Sequence, residues 1–248
     1  MCVLYSFPKR NILTSFQTPL RGLPIVYLGD TLEEVRKLMQ INPDIVGRVA
    51  VMNMASDKVV ACGATTGLGT TEEVCLCLSS TLLMTLEAHQ GYYPWDDHIH
   101  PYEQHRVCGI VSTNIVIFKD TLERGCVLLP ASERQEIMVV SVAAPDNPPL
   151  TTRHGFRLLA RQEDAVEIKE KLRIVLRACV QKRRTVVVLG AMGCGAYGCP
   201  PRGVAGLMKY VLKEEEFKGF FELFIFVIKE EAIRDIFADV FKWQNVDA

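Results

Sequence analysis

The sequence lacks several features that would assign it to a broad class of protein. It has no CxxC pair, and its nine cysteines at irregular spacings do not form the even set of a disulfide framework. No apolar run approaches the roughly 20 residues that cross a bilayer. The initial segment MCVLYSFPKR lacks the basic stretch and apolar core of a secretory signal. We therefore expect an intracellular protein with buried thiols, no metal site and no membrane association.

An excess of charge of either sign is also absent. The 248 residues include 28 Lys and Arg and 29 Asp and Glu, a formal net charge of −1. Nucleic-acid binding through a basic surface usually needs a local excess of Lys and Arg, which argues against that class. With 49% hydrophobic residues the composition is that of an ordinary globular chain, long enough for one large domain or two small ones.

Apolar runs alternate with amphipathic stretches. Runs rich in β-branched residues are typical of strands covered on both faces, and stretches with apolar residues every three or four positions are typical of helices. This alternation predicts an α/β protein with three layers, α/β/α. The predicted strands are Ile25–Leu28, Arg48–Met54, Val107–Phe118, Ile137–Ala143, Thr185–Gly190 and Leu223–Ile228. The predicted helices are Thr31–Gln40, Thr71–Ala88, Glu163–Val180, Arg202–Leu212 and Glu230–Phe241.

Two glycine-rich turns follow predicted strands, at the edge of the sheet where open α/β proteins bind ligands. The second turn reads GAMGCGAYGCPP over residues 190–201 and leads into a helix. Glycines let the backbone approach a ligand closely, and amides at a helix amino terminus favour phosphate. The turn lacks the Gly-Lys-Ser/Thr of a P-loop. We expect it to hold a diphosphate through backbone amides, with a merely tight turn as the alternative.

The first turn ends in two acidic residues, Glu72 and Glu73, at the start of a predicted helix. Thr70 and Glu73 have the spacing of a capping box, which would explain the pair structurally. The alternative is catalysis, because cleavage of a glycosidic bond needs a carboxyl group to protonate the leaving oxygen and to activate water. Neighbours on a helix point about 100° apart. One carboxylate would therefore do acid–base work while the other binds hydroxyls.

The content and order of these segments resemble the microbial-type poly(ADP-ribose) glycohydrolases, a branch of the macrodomain fold. Residues 189–201 are similar to the family's LGAWGCGAFGNPP, residues 51–56 (VMNMAS) to its VLNFAS, and residues 71–73 (TEE) to its QEE signature. The resemblance covers nearly the whole chain. It implies one macrodomain-like domain over residues 1–248 with a mixed sheet.

Two departures from the family pattern lie close to the acidic pair. Ala61, Cys62 and Gly63 stand where the family has three glycines, and Thr71 replaces the glutamine of QEE. The extra methyl of Ala61 and the thiol of Cys62 are expected to crowd the backbone near the diphosphate and the distal ribose. Thr71 keeps a hydrogen-bonding group but has a shorter reach.

The resemblance implies a role for each matching residue. Glu73 would be the catalytic acid–base, and Glu72 would bind ribose hydroxyls. Asn53 would hold the distal ribose, Tyr197 would stack on it, and Asp30 would contact adenine. The remaining substrate contacts would come from Gly63, Thr71, Gly190, Gly193, Cys194, Gly195 and Ala196.

The implied activity is hydrolysis of the ribose–ribose O-glycosidic bonds of poly(ADP-ribose), which reverses ADP-ribosylation and needs no cofactor. The expected ligands are poly(ADP-ribose) or ADP-ribose and the expected partners are ADP-ribosylated proteins, for a monomer without sequence-specific nucleic-acid binding. Two alternatives stay open because the glycine triplet is altered. The protein could be a non-catalytic reader of ADP-ribose, or a hydrolase that releases ADP-ribose from another acceptor.

Overall fold

The computed structural model of the protein describes residues 2–5, 24–61, 72–95 and 107–242. Its strands are β1 (Cys2–Tyr5), β2 (Ile25–Leu28), β3 (Val49–Met54), β4 (Gly109–Ile117), β5 (Gln135–Val142), β6 (Leu150–Arg153), β7 (Phe156–Leu159), β8 (Val186–Leu189) and β9 (Leu223–Ile228). Its helices are α1 (Thr31–Ile41), α2 (Glu72–Ser79), α3 (Leu82–Glu87), α4 (Gln162–Gln181), α5 (Pro201–Leu212) and α6 (Glu231–Phe241).

Seven of the strands form one mixed sheet in the order β1-β4-β5-β3-β8-β9-β2. The five strands from β5 to β2 run parallel to one another, whereas β4 is antiparallel to β5 and β1 is antiparallel to β4. The carboxyl ends of β3, β8 and β9 therefore meet at one edge, which is where open α/β sheets bind ligands.

Helices cover both faces of this sheet. The apolar side chains of α4, α5 and α6 pack on one face and those of α1, α2 and α3 on the other. The central strand β3 shows the alternation: Ala50 and Met52 join the first cluster, while Val49 and Val51 join the second. The three-layer mixed α/β fold predicted from the sequence is thus confirmed.

The predicted helix Thr71–Ala88 is wrong in its continuity, because two helices lie in this range. Ser80 leaves the helical path to form a bridge with Ile117, and the Thr81 amide donates to the Val116 carbonyl. The Ser80 hydroxyl donates to the Leu76 carbonyl and so satisfies the end of α2. Backbone bonds to β4 therefore break the helix that the apolar spacing alone predicts.

The hairpin of β6 and β7 was not predicted, since it is short and rich in Thr and Arg. The cysteine prediction is confirmed for the described residues, where seven cysteines are free thiols and all but Cys126 are buried. None of the described helices has the length and apolar character needed to cross a membrane.

Candidate active site

A cavity of about 390 Å³ opens at the carboxyl ends of β3, β8 and β9. The loops after β3, β5, β8 and β9 and the start of α2 surround it. Its lining residues include Met54, Ala55, Glu72, Ala144, Ala191, Gly193, Gly195, Ala196, Tyr197, Lys229, Glu230 and Ile233. The cavity therefore brings together the glycine-rich turn and one of the two acidic residues singled out in the sequence.

Close packing favours glycine at two positions of the turn after β8. A Cβ on Gly190 would lie 2.8 Å from the Met54 methyl and 3.2 Å from Oε2 of Glu72. Gly193 has a φ of +69°, and its Cβ would lie 2.6 Å from the Cβ of Ala144. The turn closes with the Cys199 amide donating to the Gly193 carbonyl, and α5 starts two residues later. This close approach leaves backbone along the cavity wall and space for the Glu72 carboxyl.

Tyr197 and its neighbours form the outer part of this turn. The Tyr197 ring lines the cavity and packs partly on the core, while its carbonyl accepts a hydrogen bond of 3.0 Å from the Asn147 amide. Ala196 and Gly195 are exposed on the cavity, whereas Cys194 is buried and its thiol donates to the Met192 carbonyl. Burial also raises the pKa of the Cys194 thiol well above its usual range, so it stays a neutral packing group.

Glu72 is the first residue of α2, and its carboxyl is partly exposed on the cavity. Its Oε1 accepts a hydrogen bond of 2.5 Å from the Thr31 hydroxyl. Burial raises the pKa of this carboxyl from 4.5 to about 7, although the bond from Thr31 acts in the opposite direction. Glu72 is thus a titratable group poised near neutral pH, the range in which proton transfer is most useful.

Glu73 lies behind Glu72 and has no exposed surface. Its Oε1 accepts a bond of 3.1 Å from the Asn53 side-chain amide, and its Oε2 accepts one of 3.0 Å from the Ser56 backbone amide. Asn53 also donates to the Ser141 hydroxyl at 3.0 Å, which fixes the orientation of the Asn53 amide. The end of β3 therefore holds the Glu73 carboxyl in one position.

The carbonyl oxygen Oδ1 of Asn53 is buried and has no hydrogen-bond partner within the part of the chain that the structure describes. A buried acceptor without a donor is costly, and it commonly marks a place where water or a ligand completes the site. A hydroxyl is the simplest group that could donate to it.

Lys229 brings a cation to the cavity wall. Its ammonium lies 2.9 Å from Oδ2 of Asp30 and donates to the Cys75 thiol at 3.6 Å. Asp30 also caps α1, since its Oδ1 accepts bonds from the amides of Leu32 and Glu33. Both oxygens of Asp30 are thus engaged by the protein beside the cavity, and its predicted contact with adenine stays a prediction.

The structure describes only some of the residues at which the sequence departs from the family pattern. Gly63, Thr71 and Cys62 lie outside the described residues. Ala61 is described, is fully buried in the core cluster under α1 to α3, and has a φ of +53°. Its methyl therefore packs in the core and does not line the cavity. Among the described residues no group of His, Cys, Asp or Glu is arranged to hold a metal ion.

Four residues of the site were not found from the sequence: Thr31, Ser56, Ser141 and Lys229. Each acts through a partner distant in sequence, for example Thr31 through Glu72 and Lys229 through Asp30. Ser56 lies in the motif at residues 51–56, but it contributes a backbone amide, for which no residue type is required. Only the sheet order brings these groups together.

Comparison with known proteins gives one family match and several structural neighbours. The family model of the microbial-type PARG catalytic domain matches residues 12–120, a range that includes β3, the first turn and α2. No curated protein matches the chain. The family model that matches residues 12–120 is that of the family whose motifs the sequence resembles.

Solved structures extend the likeness of fold over most of the chain. The poly(ADP-ribose) glycohydrolase of Deinococcus radiodurans in complex with ADP-ribose is 23% identical, with a TM-score of 0.69 over 92% of this chain and 85% of that chain. The enzyme of Thermomonospora curvata is 22% identical, with a TM-score of 0.74 over 96% and 85%. Its complex with the inhibitor ADP-HPD is 23% identical, with a TM-score of 0.72 over 96% and 84%. These similarities confirm the fold.

Proposed function

Because residues 12–120 match the microbial-type PARG catalytic domain and the chain has the fold of bacterial poly(ADP-ribose) glycohydrolases, we propose that the protein hydrolyses ribose–ribose bonds of poly(ADP-ribose). The observation that carries the proposal is the meeting of the Glu72 carboxyl with a glycine-rich turn at one cavity, next to the buried Glu73 carboxyl that Asn53 and Ser56 hold in place. The match and the cavity geometry are independent, and both support a glycohydrolase.

The diphosphate of the terminal ADP-ribose lies against the turn after β8. Backbone amides and the start of α5 favour an anion there, and the Lys229 ammonium, which is paired with Asp30, lines the same cavity. Tyr197 packs on the distal ribose and holds it over the end of β3. A hydroxyl of that ribose donates to Oδ1 of Asn53, the buried acceptor that otherwise has no partner among the described residues.

In the reaction, Glu73 protonates the oxygen of the leaving ribose as the bond from that oxygen to the anomeric carbon breaks. Positive charge develops at the anomeric carbon, close to the negatively charged diphosphate. Water then adds to this carbon, and the Glu73 carboxylate accepts the proton that the water loses, which restores the starting state. Asn53 and Ser56 keep the carboxyl aimed in one direction throughout, while Glu72 binds a ribose hydroxyl.

Glu72 is the rival for the proton-donating role. Its carboxyl lines the cavity, and a pKa of about 7 keeps much of it protonated at neutral pH. Glu73, in contrast, has no exposed surface, so the groups that cover its carboxyl must move before a substrate can reach it. The two assignments predict different pH profiles for the variants.

The test compares the wild type with Glu72→Gln and Glu73→Gln in poly(ADP-ribose) hydrolysis, with ADP-ribose binding measured by calorimetry. If Glu73 is the acid–base, Glu73→Gln lowers kcat by roughly 10²–10⁴-fold, and Glu72→Gln mainly raises KM. If Glu72 donates the proton, Glu72→Gln loses most of kcat and also the decline in rate above about pH 7. Wild-type protein that binds ADP-ribose without turnover would instead be a reader, and absence of binding would overturn both.

We also propose the finer properties that the resemblance implies. The partners are ADP-ribosylated proteins, and the protein acts inside the cell as a monomer. It does not bind nucleic acid sequence-specifically or associate with membranes. Hydrolysis of polymer attached to a protein, set beside hydrolysis of ADP-ribose attached to RNA, would separate the glycohydrolase from a hydrolase acting on another acceptor.

A further inference from the structure

The hairpin of β6 and β7 lies next to the turn after β8 and the start of α5, and it has no role in the site described so far. Its strands pair from Leu150 with Leu159 to Arg153 with Phe156. The two turn residues, His154 and Gly155, have φ values of +51° and +78°, as in the tight two-residue turn that suits the twist of a hairpin. The hairpin is therefore a short, well-defined ribbon.

Two connections fix this ribbon relative to the cavity. At its base, the Asn147 amide donates to the carbonyl of Tyr197, whose ring lines the cavity. Along its length, the Phe156 ring lies 4.8 Å from the guanidinium of Arg202, in the first turn of α5. The ribbon is thus attached to the later part of the turn after β8 and to the first turn of α5, on the Tyr197 side of the cavity.

The hairpin segment is basic. Residues 147–161 contain three arginines and one histidine but no Asp or Glu. Arg161 is bound by Asp164, with bonds of 2.8 and 2.9 Å. Arg153 and Arg157 are exposed, and neither has a carboxylate partner among the described residues. The ribbon therefore presents two uncompensated positive charges.

Arginines without a carboxylate partner are a minority in the described chain. Most of its other arginines bind a carboxylate: Arg36, Arg48, Arg124, Arg161, Arg173, Arg177, Arg202 and Arg234. Arg134, Arg183 and Arg184 are also without one, but they precede β5 and β8, at the opposite edge of the sheet from the cavity. Arg153 and Arg157 are thus the unpaired arginines on the side of the site.

We propose that the β6–β7 hairpin is a subsite for the polymer beyond the terminal ADP-ribose, with Arg153 and Arg157 binding phosphate groups of the leaving chain. This inference rests on the proposed function. The leaving chain is attached at the anomeric carbon of the distal ribose, which is held next to Tyr197, and so it emerges toward the hairpin. Each further unit of that chain carries two negatively charged phosphates.

The direction of the two side chains favours a chain over a single phosphate. Adjacent cross-strand pairs face opposite sides of a ribbon, so Arg153 and Arg157 project from different faces. One isolated anion cannot bridge them easily, whereas successive phosphates of a polymer that crosses the ribbon can meet both. The hairpin would therefore increase affinity for the polymer without changing affinity for free ADP-ribose.

The experiment uses the double variant Arg153→Gln/Arg157→Gln in the full chain. We expect kcat/KM on poly(ADP-ribose) to fall about tenfold through KM, with kcat nearly unchanged, because binding common to ground and transition states is lost. Loss of two phosphate contacts should also reduce the slope of log(kcat/KM) against log[salt] by about 1.4, by the counterion argument for single-stranded polyanions. The Kd for ADP-ribose should stay as in the wild type.

The matched control is Lys182→Gln/Arg183→Gln, which removes the same charge at the far end of α4. An equal loss in this control would show general attraction by net charge and would overturn the subsite. Unchanged polymer kinetics in the hairpin variant, or a parallel loss of ADP-ribose affinity, would also overturn it. If the hairpin variant weakened the binding of single-stranded RNA as much as that of poly(ADP-ribose), the hairpin would be a surface for any polyanion. That result would also overturn the proposal.

If the wild type does not hydrolyse the polymer, the proposed function fails on its own, and the hairpin is then tested by binding. Fluorescence anisotropy with labelled poly(ADP-ribose) should show about tenfold weaker binding for the hairpin variant than for the control. Equal affinity of the two variants would overturn the subsite in that case.

Discussion

The side-chain amide of Asn53 donates a hydrogen bond of 3.1 Å to the carboxyl of Glu73, linking the end of β3 to the first turn of α2. Both side chains are fully buried. The bond joins two residues 20 positions apart, and the same amide also reaches Ser141 on β5. The position of the proposed acid–base thus depends on two neighbouring strands of the sheet.

Removing this bond should impair catalysis more than folding. Asn53→Ala leaves a buried carboxyl oxygen of Glu73 without one of its donors, a loss of about 1–3 kcal/mol in the free energy of unfolding. We expect kcat to fall by roughly 10²-fold, because a misplaced acid–base loses most of its benefit. Ser141→Ala removes the other acceptor of Asn53 without touching Glu73 and should retain most of the activity. Steady-state kinetics and urea unfolding measure both effects, and equal kcat losses in the two variants would contradict the assignment.

The pKa of Glu72 makes stability depend on pH. In the folded state this pKa is raised from 4.5 to about 7, so the folded protein binds the proton more tightly than the unfolded chain does. The resulting contribution of Glu72 to the free energy of unfolding is fully present below about pH 4.5 and is lost as the pH rises through about 7. At pH 8 the buried charge should cost roughly 1–3 kcal/mol, discounted because the carboxyl is partly exposed on the cavity.

Glu72→Gln removes this charge and keeps an acceptor for the Thr31 hydroxyl. The variant should be more stable than the wild type at pH 8 and nearly equal to it at pH 4.5, where the wild-type carboxyl is neutral. Urea unfolding at the two pH values measures the difference. A stability difference that does not change between pH 4.5 and pH 8 would show that Glu72 has an ordinary pKa.

Two glycines of the second turn offer a matched pair. Gly193→Ala places a Cβ 2.6 Å from that of Ala144 at a φ of +69°, so the turn must shift. We expect a loss of roughly 2–4 kcal/mol in the free energy of unfolding and a large loss of ADP-ribose affinity. Gly195→Ala meets no atom within 4 Å and should leave stability unchanged.

Gly195 lines the cavity, so its added methyl tests the ligand directly. If the diphosphate lies along this turn, Gly195→Ala should weaken ADP-ribose binding in calorimetry while the melting temperature stays constant. Full affinity in Gly195→Ala would place the ligand elsewhere in the cavity.

Ala61 stands where the family that the sequence resembles has the first glycine of its triplet. Replacing Ala61 tests whether its buried methyl crowds the ligand or only packs in the core. Ala61→Gly removes the cost of about 1–2 kcal/mol that the left-handed conformation has for alanine. The variant also loses the burial of a methyl group, which contributes about 0.8 kcal/mol. It increases the entropy of the unfolded chain, which costs about 0.5–1 kcal/mol more. The free energy of unfolding should therefore change by less than about 1 kcal/mol, and ADP-ribose affinity should not change.

Ala55→Gly is the control, because Ala55 is also buried but does not have a positive φ. It should destabilise the protein by about 1–2 kcal/mol, with no relief of strain to offset the loss. A clear rise in ADP-ribose affinity for Ala61→Gly would instead support the crowding that the sequence suggested.

The sequence by itself determined the layers of the fold and the two turns at its functional edge. β-branched runs such as Val186–Leu189 can be buried on both faces only between helices, and the glycines of the turn after β8 mark close backbone approach wherever the turn lies. These are local properties of composition and spacing. They also sufficed to place Glu72 and Glu73 at the start of a helix.

Tertiary structure decided which acidic residue lines the cavity and what surrounds it. The local pattern treats Glu72 and Glu73 alike, but one meets Thr31 and the cavity while the other meets Asn53 and Ser56. These partners come from strands and helices distant in the chain, and burial by them raises the pKa of Glu72. Desolvation and long-range hydrogen bonds depend on which elements pack together, and no short stretch of sequence specifies that.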